Sequence, residues 1–323
     1  MTWITSCLAL TLAAMVLERA SGYPEALYRR IGHPVTWMGA LLTHLEARWN
    51  KGLPSPRRRA GVLTLLTLLA ATALVTFPLA SFGIGLGLVV IAPLASSLIA
   101  QRALAQHVQA VADGLDQSLD QGRAAVAMIV GRDVAVLDEA GVARAAIESL
   151  SENFSDGITA PVFWMAVGGL PGAALYKAIN TADSMIGHKS ERYIDFGRAA
   201  ALTDDWVNLP ASRLTAALII SAAALSPGYD ARAALTALRR DARHHRSPNA
   251  GWPEAAMAGA LGVSLAGPRS YGGVLIEDAE MNQGARRAVT AQDIRRALTL
   301  YWRADALLAA LLATLLLTLL YLA

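Results

Sequence analysis

Two apolar stretches, residues 60–80 and 84–100, constrain this chain more than any other feature. Each is about as long as a helix must be to cross the hydrocarbon core of a bilayer, where a backbone has to satisfy its own hydrogen bonds. The link Ser81-Phe82-Gly83 is uncharged, whereas Arg57-Arg58-Arg59 precede the pair and Arg102 follows it. Basic residues are retained on the cytoplasmic side, so the pair is expected to be a hairpin with both outer ends facing the cytoplasm. Residues 304–323 form another apolar helix, interrupted by charge only at Asp305. Residues 3–17 lack an N-terminal base and run into Glu18 and Arg19, so they read as an uncleaved membrane helix rather than a cleaved signal.

Two further segments are weaker. Residues 158–179 contain Pro161, Gly168-Gly169 and Pro171-Gly172, which interrupt helical hydrogen bonding and predict a broken or re-entrant segment. Residues 211–226 are short for a span and hold Arg213 near their start. Residues 101–128 and 133–154 show helical patterning with Asp and Arg on the outer face, and 230–246 reads as a surface amphipathic helix. No internal repeat and no strand alternation is evident. Charged residues make up 16% of the chain, against about a quarter in a soluble domain. The one cysteine, Cys7, excludes an internal disulfide and a thiolate zinc cluster. No basic patch is interleaved with aromatics, so nucleic acid is not an expected partner.

The expected fold is all-α: a polytopic integral membrane protein with about four to five membrane-embedded helices plus cytoplasmic amphipathic helices. A single membrane-embedded domain, 1–323, would comprise a first membrane helix (1–17) and a basic cytoplasmic loop (18–59). The hairpin (60–100) and an acidic catalytic region (101–213) follow. A membrane segment with a cytoplasmic loop region (214–303) and a last membrane helix (304–323) complete it.

Three constellations can carry chemistry. In the first, Arg144, Glu148, Glu152 and Asp156 recur every four residues along one helix face, with an i,i+4 pair between Arg144 and Glu148 as the plain structural reading. Asp156-Gly157 runs directly into an apolar segment, and carboxylates at a membrane edge suggest function. In the second, Asn180, Asp183 and Gly187 share a face; an Asn and an Asp one turn apart can hold Mg²⁺, and His188 and Lys189 can meet phosphate charge. The third is Asp204-Asp205, adjacent like charges that favour a nearby cation, with Arg213 needing a partner that Asp205 could supply. His33-Pro34 follows the basic Arg29-Arg30. The turn-rich loop Ser247-Pro248-Asn249-Ala250-Gly251-Trp252-Pro253-Glu254 could hold an anion or simply join two helices. P-loop, GxGxxG, HExxH and GxSxG motifs are all absent. On these residues alone the chain is a Mg²⁺ and phosphate enzyme at a membrane edge, which fits membrane prenyl and phosphoalcohol transferases equally well.

The stretch Ala143-Arg144-Ala-Ala-Ile-Glu148-Ser-Leu-Ser-Glu152-Asn153-Phe-Ser-Asp156-Gly157-Ile-Thr-Ala-Pro161 resembles the signature block of the adenosylcobinamide-phosphate synthase family (CobD/CbiB type). So do Tyr176-Lys177-Ala-Ile-Asn180-Thr-Ala-Asp183-Ser184, Tyr193-Ile-Asp-Phe196-Gly197 and Asn208-Leu-Pro210-Ala-Ser-Arg213. His33-Pro34-Val35, Arg58-Arg59-Ala-Gly61, Val130-Gly131-Arg132-Asp133 and Pro248-Asn249 complete a collinear match along nearly the whole chain. The resemblance implies a ligase of cobalamin biosynthesis. Such a ligase joins aminopropanol, or its O-phosphate, to a propionate carboxylate of adenosylcobyric acid, giving adenosylcobinamide or its phosphate. A carboxylate is a poor electrophile, so ATP and Mg²⁺ are the expected co-substrate and ion. Expected partners are these substrates, membrane lipid and other cobalamin-assembly enzymes. The expected location is the inner membrane, with the active site facing the cytoplasm.

At the matched positions, Glu148, Glu152, Asn153, Asp156, Lys177, Asn180 and Asp183 are the catalytic candidates. Ser184, Gly187, Lys189, Arg213, His33 and Asn249 are candidates to bind nucleotide or substrate, and Glu152, Asp156, Asp183, Asp204 and Asp205 to bind metal. A non-enzymatic membrane sensor or a transporter remains a competing reading. A transporter would show more full-length spans and internal repeats. A sensor would not need dense carboxylates at the membrane edge.

ATP is cytoplasmic, so clusters 148–157 and 180–189 are both expected on that side. In a Cys7→Ser background, single cysteines introduced by Asp156→Cys and Lys189→Cys should both react with an impermeant maleimide applied to the cytoplasmic face. Labelling of the two from opposite faces would end the shared-side reading.

Overall fold

The computed structural model describes residues 2–81, 84–271 and 274–323. Phe82 and Gly83 of the expected hairpin link lie outside the described residues. The chain is an all-α polytopic membrane protein. Its first helices are α1 (Trp3–Ser21), α2 (Glu25–Ile31), α3 (Pro34–Trp49), α4 (Pro54–Ala80) and α5 (Ile84–Ser96). Next come α6 (Gln101–Gln117), α7 (Leu119–Val126), α8 (Glu139–Phe154), a π turn at Ser155–Thr159 and α9 (Ala160–Ile186). The last are α10 (Arg198–Ala224), α11 (Ala231–Asp241), α12 (Gly251–Leu261) and α13 (Ala291–Tyr321).

Among the described residues 6 helical stretches are long and apolar enough to cross a membrane: Trp3–Ser21, Pro54–Ala80, Leu88–Gln117, Glu139–Ile186, Arg198–Ala224 and Ala291–Tyr321. This exceeds the four to five expected because α10 is continuous. It carries Asp204, Asp205 and Arg213 within one helix and does not begin after them. Two helical boundaries also differ from the sequence reading. Residues 133–138 are not helical; α8 starts after Asp138, whose Oδ1 accepts the Gly141 N–H at 2.7 Å. Stretch 101–128 is divided at Ser118, whose hydroxyl caps α7 by accepting the Gln121 N–H. Each is an N-cap, which satisfies a donor that the helix cannot.

The chain divides into two compact units, residues 1–100, 160–208 and 312–323 in the first and 101–159 and 209–311 in the second. In the first unit α1 packs on α5 and α9, and α4 on α3 and α9. Its core gathers Leu42, Leu65, Leu68, Ala178, Ile179, Ala182 and Phe196. The expected break in 158–179 is located at Gly169, whose φ of 61° and ψ of −153° leave the helical region. That φ disfavours any residue with a Cβ, and Pro171 lacks the N–H that would continue the ladder. The Trp164 indole N–H donates to the Val207 carbonyl at 3.1 Å.

In the second unit α8 packs on α6, α7 and α12, and α12 on α11. Phe154 meets Tyr301 edge to face with ring centroids 5.0 Å apart, which adds about 0.5–1.5 kcal/mol beyond area burial. The Tyr301 hydroxyl donates to the Gln101 carbonyl at 2.8 Å, and Gln101 Nε2 donates to both Asp305 oxygens at 2.9 Å. The charge that interrupts the last apolar helix is therefore buried in protein and hydrogen-bonded.

Among the described residues four short strands follow α12: β1 (Leu265–Ala266), β2 (Arg269–Tyr271), β3 (Val274–Ile276) and β4 (Glu280–Met281). They pair antiparallel as β1 with β4 and β2 with β3. Strands of two or three residues are too short to leave an alternation that a sequence pattern would reveal.

Gly61 of α4 faces the Phe196 backbone so closely that a Cβ would overlap its carbonyl oxygen, whereas nothing lies within 4 Å of a Cβ at Gly168. Gly61→Ala should therefore destabilise the protein by about 1–3 kcal/mol, and Gly168→Ala should not. Thermal midpoints in detergent would test this, and equal midpoints for the two variants would refute the close contact.

Candidate functional site

The first-unit site is built where α9 and α10 run together. Tyr176 donates its hydroxyl to Asn208 Oδ1 at 2.9 Å, and Asn208 Nδ2 donates to Asp204 Oδ2 at 2.9 Å. The other Asp204 oxygen accepts from Asn180 Nδ2 at 3.4 Å, and Lys177 Nζ approaches Asn180 Oδ1 at 3.5 Å. Asp204 and Asn208 are buried, while Lys177, Asn180, Asp183 and Asp205 are half-buried. Asp183 and Asp205 lie within electrostatic range of Asp204, and Lys189 within range of Asp205. The motif residues of α9 and the Asp-Asp pair of α10 thus converge. Asp183 folds over Gly187, where a Cβ would collide with its Oδ1, and Ser184 is exposed with its hydroxyl donating to the Asn180 carbonyl at 2.9 Å.

His33 is the N-cap of α3. Its Nδ1 accepts the Val35 N–H at 3.2 Å and its own N–H donates to Thr36 Oγ1 at 3.1 Å. Burial and then the charge of Lys177 push the imidazole below its ordinary pKa, against an opposing bond with the Ser97 backbone. A neutral ring is what an N-cap acceptor requires.

The turn after Asp183 and Gly187 is clasped from the N-terminal third of the chain. Arg192 forms two hydrogen bonds to Glu46, at 3.0 and 2.8 Å. Arg57 donates to Asn50 Oδ1 at 2.8 Å and to the carbonyls of Glu191 and Arg192. Arg58 pairs with Asp195 at 2.7 Å. Gly197 lies against the Ile186 carbonyl, where a Cβ would collide. None of Glu46, Arg57 and Arg192 was a sequence-based candidate. Pairs more than a hundred residues apart leave no periodic signal.

The second-unit site surrounds α8. Glu148 is buried and pairs with Arg132, and its Oε1 accepts the Ala266 N–H at 2.8 Å. Arg144 donates instead to the Arg287 carbonyl at 2.9 Å. The expected Arg144–Glu148 pair is therefore corrected: Arg132 is the partner, because a buried carboxylate needs a desolvated charge beside it and Arg132 is itself only 11% exposed. Glu152 and Asn153 are exposed and line a small polar hollow with Ile129, Val130, Gly131, Arg132, Glu148 and Ser149. Asn153 Nδ2 donates to the Ser149 carbonyl at 2.9 Å. Asp156 sits half-buried in the π turn. Arg213 takes neutral partners, Ser212, Asn249 and the Trp252 ring, and not the carboxylate of Asp205.

The candidate residues thus fall into two groups. Lys177, Asn180, Asp183, Ser184, Gly187, Lys189, Asp204, Asp205 and His33 belong to the first unit; Glu148, Glu152, Asn153, Asp156, Arg213 and Asn249 belong to the second. Among the described residues no three His, Cys, Asp or Glu side chains form a group that could hold a metal ion.

The family model described as CobD/Cbib protein matches residues 11–301. "Cobalamin biosynthesis protein CobD" of Sinorhizobium fredii is 48% identical over 317 residues, covering 96% of this chain and 97% of that protein. The protein of the same name from Brucella suis is 49% identical over 305 residues, 92% of this chain and 93% of its own. That of Rhodobacter capsulatus is 49% identical over 306 residues, 92% and 94% respectively. No solved structure matches.

The clasp on the turn after α9 has a definite pH dependence. The hydrogen bonds from Arg192 hold the Glu46 carboxyl below its ordinary value of 4.5; burial opposes them, and Asn50 and the charge of Arg57 assist. A carboxyl depressed in the folded state contributes stability above its unfolded pKa, and that contribution is lost as the pH falls through the folded value. Protease cleavage within 187–197 should therefore rise in the wild type as the pH drops below about 4.5. In Glu46→Gln it should already be raised at pH 7, without that acid step. Superimposable pH profiles would dismiss the clasp.

Proposed function

Because the chain belongs to the CobD/Cbib family, we propose that it acts in cobalamin biosynthesis as an amide-forming ligase of the cytoplasmic membrane. Its proposed substrates are adenosylcobyric acid and aminopropanol or aminopropanol O-phosphate, and its active residues face the cytoplasm. The observation that carries the reading is the match of nearly the whole chain to this family, with the acidic motifs falling inside the matched residues.

In the proposed reaction a propionate oxygen of the corrinoid attacks the γ-phosphorus of ATP. The bond to the bridging oxygen breaks, ADP leaves and an acyl phosphate remains. The amine nitrogen then attacks the acyl carbon, the carbon–oxygen bond to phosphate breaks, and the nitrogen gives up a proton. Mg²⁺ would neutralise phosphate charge, the main task in such a transfer. Asp183, Asp204 and Asn180 suit that ion. It usually takes one or two carboxylates and completes its shell with water and substrate phosphates, and here two acids lie in electrostatic range beside an amide. Lys177 and Lys189 supply positive charge for the phosphates. Tyr176 and Asn208 keep Asp204 oriented. Glu148 is occupied by Arg132 and Ala266, so its role is to fix the 129–132 loop. Glu152, exposed beside that loop, would take a proton, and Asp156 would serve as a metal or acid-base group.

The deciding assay gives purified full-length protein adenosylcobyric acid, aminopropanol phosphate, ATP and Mg²⁺, and detects the amide by mass spectrometry. Wild type should form it, and Asp183→Asn or Asp156→Asn should reduce the rate by about 10²-fold or more. The absence of amide product from the wild type would reject the reading.

A further inference from the structure

Arg213, in the second-unit part of α10, is oriented without being neutralised. Its Nη1 donates to Asn249 Oδ1 at 2.8 Å, to Ser212 Oγ at 2.9 Å and to the Leu209 carbonyl at 3.4 Å. Its Cζ lies 4.4 Å from the Trp252 ring centroid. Stacking and neutral acceptors fix a guanidinium plane while leaving its full charge.

A second guanidinium stands near it. Arg243 lies in the 3₁₀ turn Ala242–His244, and its positive charge acts on Arg213. Two features bring that turn into place. Gly251, the first residue of α12, has no side chain; a Cβ there would collide with the Ala242 carbonyl oxygen and come within 2.6 Å of His245 Cβ. The 242–245 turn therefore lies against the start of α12, next to Trp252. His245 then anchors the far side. Its Nδ1 accepts the Ser247 N–H at 3.0 Å, and its Nε2 faces Glu254 Oε1 and Asp278 Oδ2, each at 3.7 Å, with all three side chains buried. Among the described residues neither Arg213 nor Arg243 forms a salt bridge. Two guanidinium groups that no carboxylate neutralises favour a bound anion.

We propose that Arg213 and Arg243, with Asn249 and Trp252 setting the plane of the first, form a binding site for a phosphate group. Paired guanidinium forks match the oxygens of a phosphate monoester, and the ester's double charge matches two cations. The assignment of the amine substrate's phosphate to this site rests on the ligase reading above; the phosphate site itself does not. A phospholipid headgroup presents the same phosphate oxygens with a single charge, and α10 is long and apolar enough to cross a membrane.

The test uses full-length protein in detergent titrated with inorganic phosphate and with aminopropanol phosphate, read by calorimetry, with chloride as the control anion. Both phosphates should bind the wild type. Arg213→Lys and Arg243→Gln should each weaken binding about tenfold, and Arg239→Gln, an exposed basic residue of α11, should not. Thermal midpoints of the unliganded variants establish that they are folded. A parallel arm in nanodiscs compares phosphatidylglycerol with phosphatidylcholine. Competition between phosphatidylglycerol and phosphate in the wild type, lost in Arg243→Gln, identifies a lipid headgroup as the occupant, and its absence identifies a soluble phosphate. Wild-type phosphate affinity in both arginine variants, or no phosphate binding by the wild type, would overturn the site. Loss of binding in the variants of a protein that makes no amide would leave the site standing and reject only the ligase reading.

Discussion

Hydrocarbon offers a polar group no partner, and the rest of this structure follows from that. Backbone amides and carbonyls are satisfied within long helices. Side chains that cannot be satisfied that way are drawn together inside protein. Asp305 meets Gln101 in the second unit, and Tyr176, Asn208, Asp204 and Asn180 form a hydrogen-bonded series in the first. Each of these polar residues is held by a neighbour, and Asp305, Tyr176, Asp204 and Asn208 are buried as well.

A second theme is how distant segments are secured to the motif-bearing helices. The Arg57–Arg58 pair at the start of α4 holds the 191–195 turn through carbonyls and Asp195, and Gly61 one turn later admits the Phe196 backbone. These contacts explain why Arg58-Arg59-Ala-Gly61 and Tyr193-Ile-Asp-Phe196-Gly197, separated by more than a hundred residues, belong to one structural device. Arg57 and Arg58, which precede the apolar run 60–80, serve as donors to a turn that presents Lys189.

Much of this was legible beforehand, and the reasons for the misses are physical. The apolar runs, the break near Gly169 and the face shared by Asn180 and Asp183 on α9 could be read because hydropathy and 3.6-residue spacing are local properties. The partner of Glu148 could not. Spacing nominated Arg144, but burial favoured Arg132, which approaches from a loop. Arg213 was expected to seek a carboxylate and found an indole face and an amide, a choice that depends on how α12 is placed. Helix α10 looked short because charges lower the hydropathy of its first half, although a helix tolerates them wherever partners are supplied.

The π turn at Ser155–Thr159 has one more consequence. A wide turn accommodates a residue beyond the 3.6 of an α-helix, and one residue corresponds to a rotation of about 100°. A helical wheel drawn in a single phase through 139–186 would therefore assign the wrong sides to everything beyond residue 159. The acidic row that begins at Glu148 and the motif of Lys177, Asn180 and Asp183 obey separate phases. Removing one residue from the wide turn would leave composition and hydropathy nearly unchanged, yet it would change which side of the helix each residue just beyond the turn occupies.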